Sequence, residues 1–511
     1  MANDESPRPL ISLRPQSLSS ARTRTISNRL LVFIIACIIF SAGRAPFIGQ
    51  WDSFDYLKQI VTHRLSDLGF GRPVFIGMNV LLWELLKRIL RLAPLRVEEV
   101  VMTEIIIVGA LGILIFAMLS RQLLLPAASR LAVLALLLSP MYALYSGFIM
   151  TEVPMLVALI MAAVMLWPHE PRHQMLRNVA AGVIFGLAVG VREQAVTMGA
   201  AYFWILRCRQ GPSFKWLLSA AVFASVSGIV ILGPVAAMYQ YDPAGFARHM
   251  QVWMRAIPTG EVHFWRNVQA SLLWTFLLCP AAWLATLGSW IHHRLKRRAG
   301  NDVTSGVRHP DSGSQETPIP LPVVGVTCCL ILPIAFLWRD ADVQIHPRYA
   351  MIILPAAIIV CSSLYSRWAS SSRAAVTWVI VQLLVFGIAQ IGIQPLRQIQ
   401  AEKREYTSLV RASLPGEALL IPGGYSPIMD YYRALGERPE WRILWSGWGW
   451  EERGAEKVIR EAWSRHTPVY LCDGPSGWLY FEDEFLDLFF IFRNSRKVEI
   501  APHLYRIYPD Q

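Results

Sequence analysis

Charge is scarce in this chain: Asp, Glu, Lys and Arg make up 16% of its 511 residues, while 54% are hydrophobic. A soluble protein of that length needs a wetted surface over its core, so the shortage excludes that class. Useful cysteine spacing is also missing. Cys37, Cys208, Cys279, Cys328, Cys329 and Cys361 lie in or beside apolar runs, and Cys472 alone falls in the polar tail. That pattern fits neither a zinc site nor a disulfide framework, and the adjacent Cys328 and Cys329 read as small apolar packing. There is no clear internal repeat. The formal charge of +12 comes without an aromatic–basic surface of the nucleic-acid type, so nucleic acid is not an expected partner. No small-residue cleavage site follows the first apolar run, so the leading Arg8, Arg14, Arg22, Arg24 and Arg29 read as the flank of a signal anchor.

What the chain has in quantity is apolar runs, and its mean hydropathy is +0.38. Runs of roughly 17–25 residues recur from Leu30 to about Ile393, each long enough to cross the hydrocarbon layer as a helix. The expected fold is a polytopic α-helical membrane protein of about eleven transmembrane helices with a small C-terminal α/β extracytoplasmic domain. Residues 1–29 are the cytoplasmic basic tail, 30–394 the transmembrane domain with its first external loop at 43–98, and 395–511 the extracytoplasmic domain.

One apolar stretch in that loop is deceptive. Val74 to Leu92 has the length of a span, yet Glu84, Lys87, Arg88 and Arg91 share one face of a helix. A charge at mid-membrane costs about 2.5–3.5 kcal/mol on insertion scales, so a helix lying in the interface is favoured. Parity agrees. With 74–92 flat, spans fall at 100–119, 131–149, 154–167, 178–191, 194–206, 216–238, 269–291, 320–338, 350–366 and 374–394. Arg207, Arg209, Lys215 and the Arg294–Arg298 cluster then lie inside, as the positive-inside rule requires. The same count puts the C-terminal region in the periplasm of an inner-membrane protein. There Ala418–Ile421, Arg442–Trp445, Val469–Cys472, 497–500 and 503–508 read as strands, with helices at 426–434 and 451–465. Residues 299–319 form a Gly/Ser/Pro/Asp-rich cytoplasmic loop.

The segment richest in chemistry is Gln50-Trp51-Asp52-Ser53-Phe54-Asp55-Tyr56, just after the first span. Carboxylates at i and i+3 share a helix face, and a carboxylate at a cavity mouth can take the proton of an attacking hydroxyl. The plain alternative is a solvated loop with Asp52 as N-cap. Arg192 and Arg348 fall at the outer ends of spans, where a guanidinium either matches a phosphate or snorkels to the headgroups. Lys58 and Arg72 flank the interfacial helices and offer further cations for phosphate. His63 and His346 lack the spacing of a metal site. Glu261 and His263, with Trp253 and Trp265 in the loop 239–267, line a prospective acceptor entrance or anchor the interface. Trp441, Trp445, Trp448 and Trp450 read as core of the C-terminal domain, with a carbohydrate platform as the alternative.

These segments resemble the GT-C superfamily of polytopic glycosyltransferases, in particular protein O-mannosyltransferases and lipid A aminoarabinose transferases. Members carry an acidic motif in the first external loop, and Asp52-Ser53-Phe54-Asp55-Tyr56 is similar to its Asp-Ser form. Ser53 stands where many members have Glu, so a second carboxylate would come from Asp55. Ser146-Gly147-Phe148-Ile149-Met150-Thr151-Glu152 resembles the family's Thr-Glu junction. Gly186-Leu187-Ala188-Val189-Gly190-Val191-Arg192 resembles its small-residue span ending in Arg, and His346-Pro347-Arg348-Tyr349 its Arg-Tyr element. The resemblance implies an inverting transfer from a polyprenyl-phosphate-linked sugar to a glycan, lipid or protein acceptor. It gives Asp52 a catalytic role with Asp55 as the candidate second carboxylate, and sets Arg192 and Arg348 on the donor phosphate and Tyr56, Glu152, His346 and Tyr349 around the substrates. By position alone Lys58 and Arg72 join the phosphate candidates, and Glu261 and His263 the substrate candidates. The resemblance fixes no cofactor; some members use a divalent cation (Mg or Mn), which Asp52 or Asp55 with Glu152 would hold through oxygen ligands. Two rivals remain: an O-antigen ligase or polymerase, whose signal lies in a large late loop, and a secondary transporter, which needs broken helices with charges at mid-membrane.

Overall fold

The structure, a computed structural model, describes residues 16–47, 51–64, 72–93, 96–167, 173–211, 213–247, 250, 264–301, 325–327, 331, 347–368, 372–414, 416–422, 425–444, 455–474 and 495–509. It is helical through the apolar region and ends in a five-stranded sheet. Helix α1 (Gln16–Ala42) leads to α2 (Trp51–Thr62) and α3 (Pro73–Leu90), followed by the long α4 (Val97–Leu123). Then come α5 (Pro126–Leu137), α6 (Pro140–Ser146), α7 (Glu152–Leu166), α8 (Gln174–Val191), α9 (Met198–Gln210) and α10 (Phe214–Tyr241). Helices α11 (Phe264–Leu278), α12 (Pro280–Asn301), α13 (Leu354–Trp368) and α14 (Ser372–Ser413) complete the bundle.

Four helices among the described residues are long and apolar enough to cross a membrane, and six spans result if each of two bent pairs counts as one. Shorter apolar helices include Ser27–Ala42, Glu152–Leu166 and Ala350–Ser366. Each expected span except 320–338, which lies largely outside the described residues, coincides with helix. Two differences have local causes. The expected span at 194–206 begins with a 3-10 turn, Glu193–Thr197, because Arg192 and Glu193 are held by side-chain partners and the regular helix starts only at Met198. The last span does not stop at 394: α14 runs 42 residues through Pro395, carried on by polar helix formers such as Gln398, Glu402 and Lys403.

The two bent pairs meet. α5 and α6 turn through 54°, α11 and α12 through 88°, and each second helix begins with proline. Proline cannot donate to the preceding turn, and the Leu136 and Phe276 carbonyls accept instead from the N–H groups of Ser139 and Cys279. The Ser139 hydroxyl donates to the Leu278 carbonyl at 3.0 Å, which ties one break to the other.

Helix α3 is not among the candidate spans. It buries Val74, Phe75, Asn79 and Trp83 and exposes Met78, Leu81, Leu85 and Ile89. Its Glu84 gathers Lys87, Arg88 and His63 within 3.4–3.9 Å. An exposed apolar stripe beside a charged one is the pattern of an interfacial helix.

After α14 come β1 (Ala418–Ile421), α15 (Ser426–Ala434), β2 (Trp441–Ile443), α16 (Ala455–Ser464), β3 (Val469–Cys472), β4 (Arg496–Ala501) and β5 (Leu504–Tyr508). The order is β2-β1-β3-β5-β4, with β1 parallel to β2 and β3, and β5 antiparallel to β3 and β4. Alternation along the strands gives the sheet two different faces. Leu419, Ile421, Val469 and Leu471 pack with Val458 and Ile459 of α16. Ala418, Leu420, Tyr470 and Cys472 join the same buried cluster as the helical bundle. One face of β1, β2, β3 and β5 is therefore packed into the cluster shared with the membrane part, while β4 stays largely exposed. Trp441 is core, as expected, while Trp445, Trp448 and Trp450 lie outside the described residues.

Candidate active site

Helix α2 is short and amphipathic, and its burial is nearly complete from Ser53 to Leu57. The Ser53 hydroxyl donates to the Ile149 carbonyl at 2.6 Å, which fastens the start of α2 to the turn before α7. That turn ends in Thr151 and Glu152, the first residue of α7. The C-terminus of α8 delivers Arg192 in an extended conformation, φ −157° and ψ 122°, directly after the last helical residue. A 3-10 turn, Pro347–Ile353, delivers Arg348 just before α13.

These four elements bring their charges together. Arg348 donates through Nη1 to Asp52 Oδ2 at 3.1 Å, and its Nε lies 3.9 Å from Glu152 Oε1. Arg192 Nη1 is 2.9 Å from the same Glu152 oxygen and also donates to Thr151 Oγ1 at 3.0 Å. Its Nε donates to Gln194 Oε1 at 2.8 Å. One residue on, Glu193 pairs with Arg72. Tyr56 is fully buried within the fields of Arg72, Asp52, Arg192 and Glu152. Burial pushes its phenol well above the usual range, so Tyr56 stays a neutral hydroxyl at any physiological pH.

Exposure grades the cluster. Asp52 and Arg348 retain 18% and 14%, whereas Arg192 and Glu152 retain 2% and 0%. The Asp52–Arg348 pair is thus the edge a substrate can reach, and Glu152–Arg192 stands behind it. Burying charge is costly unless each is matched, and here three carboxylates (Asp52, Glu152, Glu193) face three arginines (Arg348, Arg192, Arg72) as ion pairs.

The remaining candidates separate. Asp55 accepts from Gln59 Nε2 at 2.8 Å, and the carboxylate sharing Arg348 with Asp52 is Glu152. Lys58, on another side of α2, is paired with Asp430 of α15. His346, Glu261 and His263 lie outside the described residues, as does the side chain of Tyr349. Trp265 is largely exposed on α11. Among the described residues no group of three His, Cys, Asp or Glu is placed to hold a metal ion. Asp52 and Glu152 are both answered by arginine in this arrangement. Sequence reading missed Glu193 and Gln194, whose only signal is their adjacency to Arg192.

A small apolar cavity of about 50 Å³ continues from the elements of the cluster. Two of its walls are the elements that carry the charges: Leu156, Ile160 and Ala163 continue α7 from Glu152, and Ile352 and Ala356 follow Arg348. Leu119 of α4 and Met198 of α9 close it further.

No protein-family model and no curated protein matches the chain by sequence. Solved structures do match by shape. ArnT from Cupriavidus metallidurans bound to undecaprenyl phosphate superposes with a TM-score of 0.61 at 12% identity, covering 95% of this chain and 98% of that one. The apo form of the same protein gives 0.58 at 12% identity over the same shares. Archaeal oligosaccharyltransferase AglB from Archaeoglobus fulgidus, in complex with an inhibitory peptide and a dolichol-phosphate, gives 0.47 at 13% identity, covering 94% of this chain and 74% of that one. Nearly end to end, then, the chain has the fold of ArnT.

Proposed function

We propose that the chain is an integral membrane glycosyltransferase of the inner membrane. It moves a sugar from a polyprenyl-phosphate donor to an extracytoplasmic acceptor hydroxyl, with inversion at the anomeric carbon. The observation that carries this reading is the sharing of Arg348 between Asp52 and the fully buried Glu152. An arriving lipid phosphate meets Arg348 first, because Arg192 and Arg72 are buried behind it. The guanidinium fork suits phosphate oxygens, and charge developing on the leaving phosphate is stabilised where donors already point. As Arg348 turns to phosphate, an oxygen of Asp52 is released for the acceptor. The acceptor oxygen bonds to the anomeric carbon, and the bond from that carbon to the phosphate oxygen breaks. Its electron pair leaves on polyprenyl phosphate, and the hydroxyl proton passes to Asp52. A carboxylate is a weak base, but it need act only late, when bonding to carbon has made the hydroxyl acidic. No step is routed through a metal. The apolar walls that continue from the cluster are the surface a prenyl chain would follow, and the ArnT structure that holds undecaprenyl phosphate supports that choice of donor.

The test uses the purified chain in proteoliposomes with radiolabelled pentoses and hexoses linked to undecaprenyl phosphate. Asp52→Asn should lose at least about 10²-fold in transfer while still binding undecaprenyl phosphate. Near-wild-type transfer by this variant would remove Asp52 from the role. Solute uptake without transfer from any such donor would favour a transporter.

A further inference from the structure

We infer that Asp430, in the C-terminal domain, is a positioning residue that sets the pose of the Asp52 helix through Lys58. This rests on the glycosyltransferase reading above for its catalytic consequence, though not for its geometry. Asp430 is 1% exposed, and both its oxygens are engaged: Oδ2 with Lys58 and Oδ1 with Arg433 at 2.5 Å. A carboxylate that deep is held only because two cations answer it. Lys58 is the one that reaches in from another part of the fold, across 372 positions of sequence.

The pair belongs to a larger seam. Phe54, two residues after Asp52, stacks between Phe47 at 5.5 Å and Tyr431 at 5.9 Å. Tyr431 adjoins Asp430 on α15 and packs on Tyr432, which Arg411 of α14 covers at 4.2 Å. Helix α2 is therefore held at two points. Ser53 ties its start to the membrane bundle, and Phe54 with Lys58 ties its opposite side to α15. Helix α15 and the sheet behind it share the buried cluster of the bundle, so the second point is anchored in the core as well. A 12-residue helix pinned at both sides cannot roll, and rolling is the motion that would take Asp52 away from Arg348. Misplacement of a catalytic group by about 1 Å can cost about 10²-fold.

Lys58 thus acts through protein rather than on phosphate, and the two roles give different double-mutant behaviour. The full-length chain in proteoliposomes is measured as Lys58→Arg, Lys58→Met, Asp430→Asn and the Lys58→Met/Asp430→Asn pair. The readouts are kcat and KM for transfer from an undecaprenyl-phosphate-linked sugar, and hydrogen exchange of the α2 backbone. Lys58→Arg should stay within about threefold of wild type. Lys58→Met and Asp430→Asn should each lower kcat by about ten- to hundredfold with little change in KM, raise α2 exchange, and combine to no more than the larger single loss. Three results overturn the inference: unchanged α2 exchange in both single variants, additive losses in the pair, or a loss confined to KM in Lys58→Met with Asp430→Asn near wild type. Failure of the wild-type chain to transfer sugar would sink the glycosyltransferase reading but leave the exchange measurement to decide the latch.

Discussion

Arg192 and Arg209 occupy matching places in the fold and meet different surroundings. Each lies at the end of a helix beside α7, Arg192 by its first residue and Arg209 by its last. Arg192 meets a carboxylate, Glu152, and is 2% exposed. Arg209 donates to the Leu166 carbonyl at 2.6 Å and remains partly open. At the Glu152 end, a buried charge is compensated by a fixed partner, and a second arginine is shared with Asp52. At the Leu166 end, a cation meets the negative pole of a helix, an interaction of about 0.3–1 kcal/mol near the surface. The first arrangement gives up hydration to hold a geometry. The second is an anchor.

The largest effect that could break this contrast belongs to Arg348. Arg348→Ala should cut transfer by about 10²–10³-fold with little loss of stability, since the residue keeps 14% exposure. Arg348→Lys should recover only part of it, because an ammonium cannot span two oxygens in a plane. Turnover near wild type in the alanine variant would return Arg348 to a headgroup anchor.

Glu152 comes next, and here stability and activity should part company. Glu152→Gln leaves Arg192 buried without its counter-charge, and removing one partner of a buried pair costs about 3–5 kcal/mol. Thermal unfolding should fall accordingly. The double variant Arg192→Met/Glu152→Met should regain most of that stability, as apolar replacements of buried pairs often do, yet remain inactive. Regained activity would mean that the pair is only packing.

A smaller effect tests how α3 sets the edge of the site. A Cβ at Gly190 would overlap Val74 Cγ2, because the start of α3 rests on the end of α8. Gly190→Val should destabilise by about 1–3 kcal/mol and disturb Arg192 two residues away. Unchanged thermal unfolding would show that α3 can yield.

How much of this was legible follows from the range of each interaction. Apolar runs and strand alternation are local, so the bundle helices were foreseen, and Ala418–Ile421, Val469–Cys472 and the helix 426–434 match the structure's own bounds. The placing of Asp52, Glu152, Arg192 and Arg348 at one end of the bundle followed from span parity. Local rules could not say which carboxylate would accompany Asp52. The i, i+3 spacing pointed to Asp55, but on a helix packed on nearly all sides that residue turns to Gln59. Lys58 shows the same limit. Its partner lies 372 positions away, and nothing in the spacing of a 12-residue helix announces it.

The smallest predicted effect sharpens the opening contrast most. Arg209→Ala removes one charged hydrogen bond to a backbone carbonyl at the end of α7. Leu166 loses a donor there, but the site is partly open, so water or a lipid headgroup can replace it. Stability should change by less than about 1 kcal/mol and transfer by less than about twofold, measured beside Arg192→Ala in the same proteoliposomes. In Arg192→Ala the abandoned carboxylate, Glu152, has no such recourse: it is 0% exposed, and Arg348 cannot move closer without leaving Asp52. The two alanine variants should therefore differ by at least tenfold in transfer. Equal losses would mean that both arginines only fasten helix ends, and the charge cluster would lose its claim to chemistry.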